Sequence, residues 1–166
     1  MEWQKFLPVR FEMMEDERWM LEALKEAEKA FQSGEVPVGA VVVLDGAVIG
    51  RGYNQVELLQ DATAHAEMLA IGSASQYLSS WRLERCTLYT TLEPCTMCAG
   101  ASQLSRVKRI VWGAPDIRHG ANGSLIDVFS HKHPTHGCIV EKGVLDSSCG
   151  AIMKCFFRKQ REQKNA

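Results

Sequence analysis

Four residues of this chain have the types and spacing to do chemistry: His65, Glu67, Cys95 and Cys98. The cysteines lie in LEPCTMC, Leu92 to Cys98. A CxxC pair suits two metal ligands, a redox couple, or two small apolar side chains. Zinc takes four ligands from thiolates, imidazoles and carboxylates. A structural zinc site would close with a second CxxC or a histidine pair, and there is no second CxxC. The third ligand is then His65 of TAHAEM, Thr63 to Met68, with Glu67 two positions on. Three protein ligands leave the fourth position to water, which is the catalytic pattern.

Helix geometry restricts how these residues meet. Positions i and i+2 are about 200° apart around a helix axis. His65 and Glu67 therefore converge on one point only if that point lies off a helix N-terminus, and Thr63 offers a start signal just ahead of them. The CxxC opens a second helix, with Pro94 leading into it. Two positive helix ends facing one point favour thiolates over thiols. A divalent zinc with two thiolates and one neutral imidazole carries no net charge, so it acidifies water less than a site of neutral ligands. A nearby base is then useful, and Glu67 is placed to take a proton from water and deliver it to a leaving group. HxE at one helix start and PCxxC at the next, with a strand between, is a far stronger signal than either motif alone. Pro94 precedes the CxxC and nothing N-terminal to it resembles a thioredoxin; the other readings are a structural zinc or a packed core histidine. A rival ligand set, His131, His133, His136 and Cys138 in HKHPTHGC, could hold a second metal. The proline and glycine inside it read as a surface loop.

Several elements must position these groups. Met20, Leu24, Ala27 and Phe31 recur at helical spacing until Ser33-Gly34 stops the helix. Val36 to Leu44 reads as a buried strand, Asp45-Gly46 as a two-residue turn, and Ala47 to Tyr53 as the hairpin partner. A helix is expected from Thr63 or Ala64 to about Tyr77, a strand over Cys86 to Leu92, and a short helix from Cys95 to about Leu104. Another strand follows over Val107 to Trp112, then a glycine-punctuated loop, Gly113 to Gly123, long enough to be functional. Cys138 to Glu141 suggests a last short strand. Leu145, Cys149, Ile152 and Phe156 line one face of a final helix, with Asp146 as candidate N-cap. The order implies an α/β layer architecture with an antiparallel hairpin and parallel later strands. Ligands of such sheets bind beyond the C-terminal strand ends, where TAHAE and EPCTMC both sit.

The totals agree with one domain spanning 1–166, of which 1–10 is an extension without a reading and 145–166 a C-terminal helix with a basic tail. A length of 166 residues suits a single core. A net charge of −1 provides no global basic field, although Lys154, Arg158, Lys159, Arg161 and Lys164 make a local basic run. No segment is apolar enough to span a bilayer, so no membrane partner is expected. The N-terminus lacks a signal-peptide core and carries Glu2. Six cysteines without an export signal point to a reducing, cytoplasmic setting, and Cys86, Cys149 and Cys155 read as small core residues.

HAE followed by PCTMC is the zinc nucleobase-deaminase signature. EVPVGAVVV (Glu35 to Val43), TLYTTLEPCTMCAGA (Thr87 to Ala101) and GSLIDV (Gly123 to Val128) extend the likeness, and the chain resembles the bacterial tRNA-specific adenosine deaminases, the TadA family, from about Trp19 to Arg161. The resemblance implies a three-layer α/β/α sandwich of the cytidine-deaminase type, with a central mixed sheet of about five strands. It implies a homodimer acting on a tRNA anticodon stem-loop, where the wobble adenosine becomes inosine and ammonia is released. His65, Cys95 and Cys98 carry over as ligands of one zinc per chain, and Glu67 as the proton shuttle. Asn54 carries over as a hydrogen-bonding partner of the base, the Ala66 N–H as a group facing it, and Asp116 as a contact to a ribose hydroxyl. Phe156 and Phe157 match the family's C-terminal aromatic pair, with core packing the favoured role for Phe156. Ala62 departs from the proline usual before TAHAE and touches no chemistry. The alternatives are a free-base or nucleoside deaminase acting on guanine or cytosine, and a non-catalytic zinc-stabilised RNA-binding module.

Overall fold

The structure is a computed structural model and describes residues 2–6 and 14–165. Ten elements of helix and strand follow a short 3-10 turn, Glu2–Phe6. They run α1 (Glu15–Gln32), β1 (Gly39–Leu44), β2 (Ala47–Tyr53), α2 (Val56–Leu59), α3 (Ala66–Leu78), β3 (Thr87–Leu92), α4 (Thr96–Leu104), β4 (Arg109–Ala114), β5 (Ile139–Lys142) and α5 (Asp146–Lys164). The five strands form one mixed sheet in the order β2-β1-β3-β4-β5. β1 is antiparallel to both β2 and β3, while β3, β4 and β5 run parallel. This is the expected α/β/α sandwich, with a central mixed sheet of five strands.

The alternation of β1 explains the layers. Ala40 and Val42 join one apolar cluster, with Ala66, Ala70 and Leu88. Val41 and Val43 join the other, with Met20, Leu24 and Ile152. Both faces are buried, which is why GAVVVL reads as a continuous apolar run. α1 and α5 cover one face, α3 and α4 the other.

Several boundaries differ from the sequence expectation. β1 starts at Gly39 because Pro37 has no N–H for a ladder, and Val36–Val38 makes a tight turn in which Val38 N donates to Val36 O. α3 starts at Ala66, later than Thr63. The Thr63 N–H and hydroxyl are both engaged by Asp61 Oδ1 at 2.8 Å, so Thr63 closes a turn before the helix. Asp146 is not the N-cap of α5: Leu145 takes that position at φ 53°. Asp146 instead sits in the first turn, where its charge suits the helix dipole. The connection from β4 to β5 is a long loop without a helix, and α2 is an element the periodicity did not indicate. Of the N-terminal extension, residues 2–6 pack Trp3 against the face covered by α1 and α5, and Ser148 Oγ donates to Phe6 O at 2.5 Å. Phe156 is core, edge-on to Phe31, and Phe157 is partly exposed.

Two close approaches fix α3 over the sheet. A Cβ on Gly52 would lie 2.3 Å from Ala66 O, and one on Gly50 would lie 2.4 Å from Ala70 O. Only glycine lets the α3 backbone seat this tightly on β2, and that seat sets where the first turn of α3 points.

Candidate zinc and catalytic site

His65 and Cys95 are themselves the N-caps of α3 and α4. Neither side chain caps its own helix; each is left to point off the helix end. Cys98 stands one turn into α4, fully buried. The three side chains converge: His65 Nδ1 lies 3.6 Å from Cys95 Sγ and 3.6 Å from Cys98 Sγ. All three ligand atoms lie within 4.8 Å of one another. A tetrahedral zinc about 2.0 Å from nitrogen and about 2.3 Å from sulfur would hold N and S about 3.6 Å apart. The donor set and its spacing therefore fit zinc.

The two thiols are hydrogen-bonded to each other. The hydrogen bond from Cys98, then the His65 ring, hold Cys95 at about 3, well below the usual thiol range, and Cys98 is pushed up as the donor of that pair. Zinc replaces the thiol protons, since its ligands are thiolates.

Glu67 follows Ala66 in the first turn of α3 and is buried. It is not a member of the converging ligand group. Burial pushes its carboxyl up to about 7, against its own backbone N–H and the His65 ring, which pull it down. A carboxyl that titrates near neutrality can both take and give a proton.

Asn54 follows β2 directly and is buried, and Gln55 N donates to Ala64 O at 3.0 Å. That bond brings Asn54 beside the turn carrying His65, Ala66 and Glu67. Asp116 follows β4 in a loop held against the CxxC: Cys95 bridges Gly120, and Ala121 N donates to Pro94 O at 2.8 Å. Asp116 Oδ1 accepts from the Arg118 and His119 N–H groups, so part of the carboxylate shapes its own turn.

Besides Glu26, which pairs with Lys29 and Arg51, two buried acids escaped the sequence reading. Glu93, in the middle of LEPC, accepts from the N–H groups of Asp116, Asn122 and Ser124 and from the Ser124 hydroxyl. It fastens the loop that carries Asp116. Glu35 accepts from Asn54 Nδ2 and Leu58 N. The available signal was a lone acid within an apolar stretch, which must find donors if it is buried.

The rival cluster does not assemble. Among the described residues, the converging ligand group is His65, Cys95 and Cys98. His136 Nε2 pairs with Val107 O at 2.8 Å, His133 Nδ1 with the Thr135 hydroxyl, and His131 Nδ1 with Ser130.

Fold and site together define a zinc-dependent deaminase: residues 13–114 match the cytidine and deoxycytidylate deaminase zinc-binding region. The chain belongs to that family and, within it, to the tRNA-specific adenosine deaminases. It is 49% identical over 154 residues to the tRNA-specific adenosine deaminase of Bacillus subtilis, covering 93% of this chain and 96% of that one. It also matches a structure solved in studies of A-to-I editing by tRNA:A34 deaminases at the wobble position, with TM-score 0.78 and 44% identity over 81% of this chain and 98% of that one. The guanine deaminase of Bacillus subtilis is similar at TM-score 0.59 and 32% identity, over 73% and 88% of the two chains.

Proposed function

We propose that this protein deaminates adenosine to inosine at the wobble position of a tRNA anticodon, releasing ammonia, with one zinc per chain. One observation carries the reading: an imidazole and two thiols meet at 3.6 Å off two helix N-termini beside a buried glutamate, in a chain 49% identical to a tRNA-specific adenosine deaminase over nearly its full length.

Zinc held by His65, Cys95 and Cys98 would supply acidified water for the reaction. Glu67 takes a proton from the attacking water as the water oxygen bonds to C6 of adenine. The proton passes to the ring nitrogen beside C6. The carbon–nitrogen bond to the exocyclic amine then breaks, and the second water proton leaves with the amine as ammonia. A single buried group serves both transfers, because no bulk water reaches it to substitute. The Ala66 N–H is one of the first-turn donors that α3 cannot satisfy internally, and it faces the target base. Asn54 hydrogen-bonds the ring edge. Asp116 contacts a ribose hydroxyl, and Glu93 holds the loop that presents it. An adenosine must leave its stack to reach this site, so a splayed loop is the substrate.

The reading takes residues 1–166 as one deaminase domain that works as a homodimer in the cytoplasm. All six cysteines are free, which supports a reducing compartment. Among the described residues no helix is long and apolar enough to cross a membrane.

The test is a panel of tRNA anticodon stem-loops, free adenosine and free bases, scored for inosine and ammonia. Turnover of the stem-loop should far exceed that of the nucleoside, and Asp116→Asn should narrow the preference for RNA over DNA. Equal turnover of free guanine or cytosine and the stem-loop would favour the base deaminase instead.

A further inference from the structure

An asparagine amide has two ends of opposite polarity, an oxygen that accepts and a nitrogen that donates. A freely rotating amide can exchange them and discriminates poorly between ring edges. The amide of Asn54 is not free. Its Nδ2 donates to Glu35 Oε2 at 3.1 Å, in a pair buried on both sides. The other oxygen, Glu35 Oε1, accepts from the Leu58 N–H at 2.7 Å, in α2. Glu35 itself is rigidly mounted. Gly34 ends α1 at φ +78°, and Glu35 N donates back to Ala30 O at 2.9 Å.

Both carboxylate oxygens meet donors, and a carboxylate offers only acceptors. Turning the amide over would set Asn54 Oδ1 against Glu35 Oε2, leaving two buried acceptors in contact and an N–H without its partner. Such a mismatch incurs the full desolvation penalty of the groups involved. One orientation is therefore strongly preferred before any substrate arrives.

We propose that Glu35 is a positioning residue for base selection: it locks the amide of Asn54 in one orientation, so that one fixed donor–acceptor edge meets the purine. The same carboxylate ties α2 to that edge through the Leu58 N–H. This deepens the reading of Asn54 as the base-contacting residue and rests on it. Glu35 lies outside the ligand group and acts through Asn54.

The test uses a stem-loop carrying adenosine at the target position and matched loops carrying 7-deazaadenosine or 3-deazaadenosine. Each analogue replaces one ring-nitrogen acceptor with C–H. The wild type should process at least one analogue more slowly than the parent. Glu35→Gln keeps one acceptor oxygen, which the Leu58 N–H claims, so its amide N–H faces Asn54 and favours the turned-over orientation; kcat/KM for the parent should fall by roughly tenfold, the size of one lost hydrogen bond. The parent-to-analogue ratio should shrink towards one. A merely structural role would lower parent and analogues by the same factor and keep that ratio, which overturns the proposal. Zinc content and Tm are measured on the same samples.

The exchanged pair, Glu35→Gln with Asn54→Asp, restores a donor–acceptor contact with its polarity reversed. It should recover stability lost by Asn54→Asp alone without restoring the wild-type ratio. Additive stability changes would mean that the two side chains are uncoupled, and the proposal fails. Asn54→Ala separates the two levels. If it abolishes the ratio while Glu35→Gln preserves it, the proposal alone falls. If it changes neither rate nor ratio, or if the wild type ignores both analogues, Asn54 does not read the ring and the proposal falls with that reading.

Discussion

Replacing Glu67 with glutamine keeps the shape of the side chain and removes its ability to accept a proton. Glu67 is buried and outside the converging ligand group, so neither fold nor zinc depends on its charge. Burial already disfavours its ionised form, so a neutral isostere should cost the fold nothing. The rate is another matter. General acid–base catalysis contributes about 10²–10⁴-fold, or about 3–5 kcal/mol on the barrier. The upper half of that range is expected, because the site offers no second carboxyl in the first turn of α3 and one group serves both proton transfers. The assay is single-turnover deamination of a stem-loop at saturating enzyme, with zinc content and RNA affinity determined on the same preparation. Zinc and RNA affinity should stay at wild-type levels while the rate falls about 10³-fold or more. Loss of zinc from Glu67→Gln would make the carboxylate a ligand and the geometry wrong. A rate within tenfold of wild type would place the proton shuttle on another group.

Cys98→Ser should lose zinc and activity together, because an alcohol replaces a fully buried thiolate ligand; full metal occupancy with normal turnover would remove this residue from the site. Gly52→Ala drives a Cβ to 2.3 Å from the Ala66 carbonyl, backbone that cannot rotate away, so stability should fall by roughly 3 kcal/mol in a denaturant titration, with weakened zinc retention as α3 is displaced. Asp16 accepts from both Arg109 guanidinium nitrogens and from the Tyr89 hydroxyl, and the Arg109 bond foremost holds its carboxyl below the usual range. A lowered folded pKa means stability that is present above the ordinary carboxylate pKa and is lost as pH falls through the folded value. Asp16→Asn should therefore cost about 1 kcal/mol at pH 7, and the gap to wild type should close in acid; a gap that persists undiminished at low pH would refute this account.

Much of the chemistry was legible in the residues alone. Ligand identity is a local property: CxxC spacing, HxE spacing and a helix start before each are written in a few consecutive positions. The continuous apolar run of β1, the alternation in β3 and the Asp45-Gly46 turn made the sheet equally readable, because the pattern of apolar residues reflects which faces are buried. Tertiary structure decided what depends on contacts between distant positions. Thr63 looked like a helix cap until Asp61 engaged its donors, and His65 took the cap position with its ring free for the metal. Gly50 and Gly52 lie inside the predicted hairpin strand, where nothing in the sequence signals that they are what lets α3 seat on β2. Glu35 and Glu93 could not be assigned from sequence, since a buried carboxylate is defined by its donors, and theirs come from residues 19 to 31 positions away. The histidines of HKHPTHGC were close in sequence but each found a separate partner nearby. Sequence proximity supplies candidates for a site; only the fold brings ligand atoms to within a metal's reach, because that requires side-chain directions set by the elements carrying them.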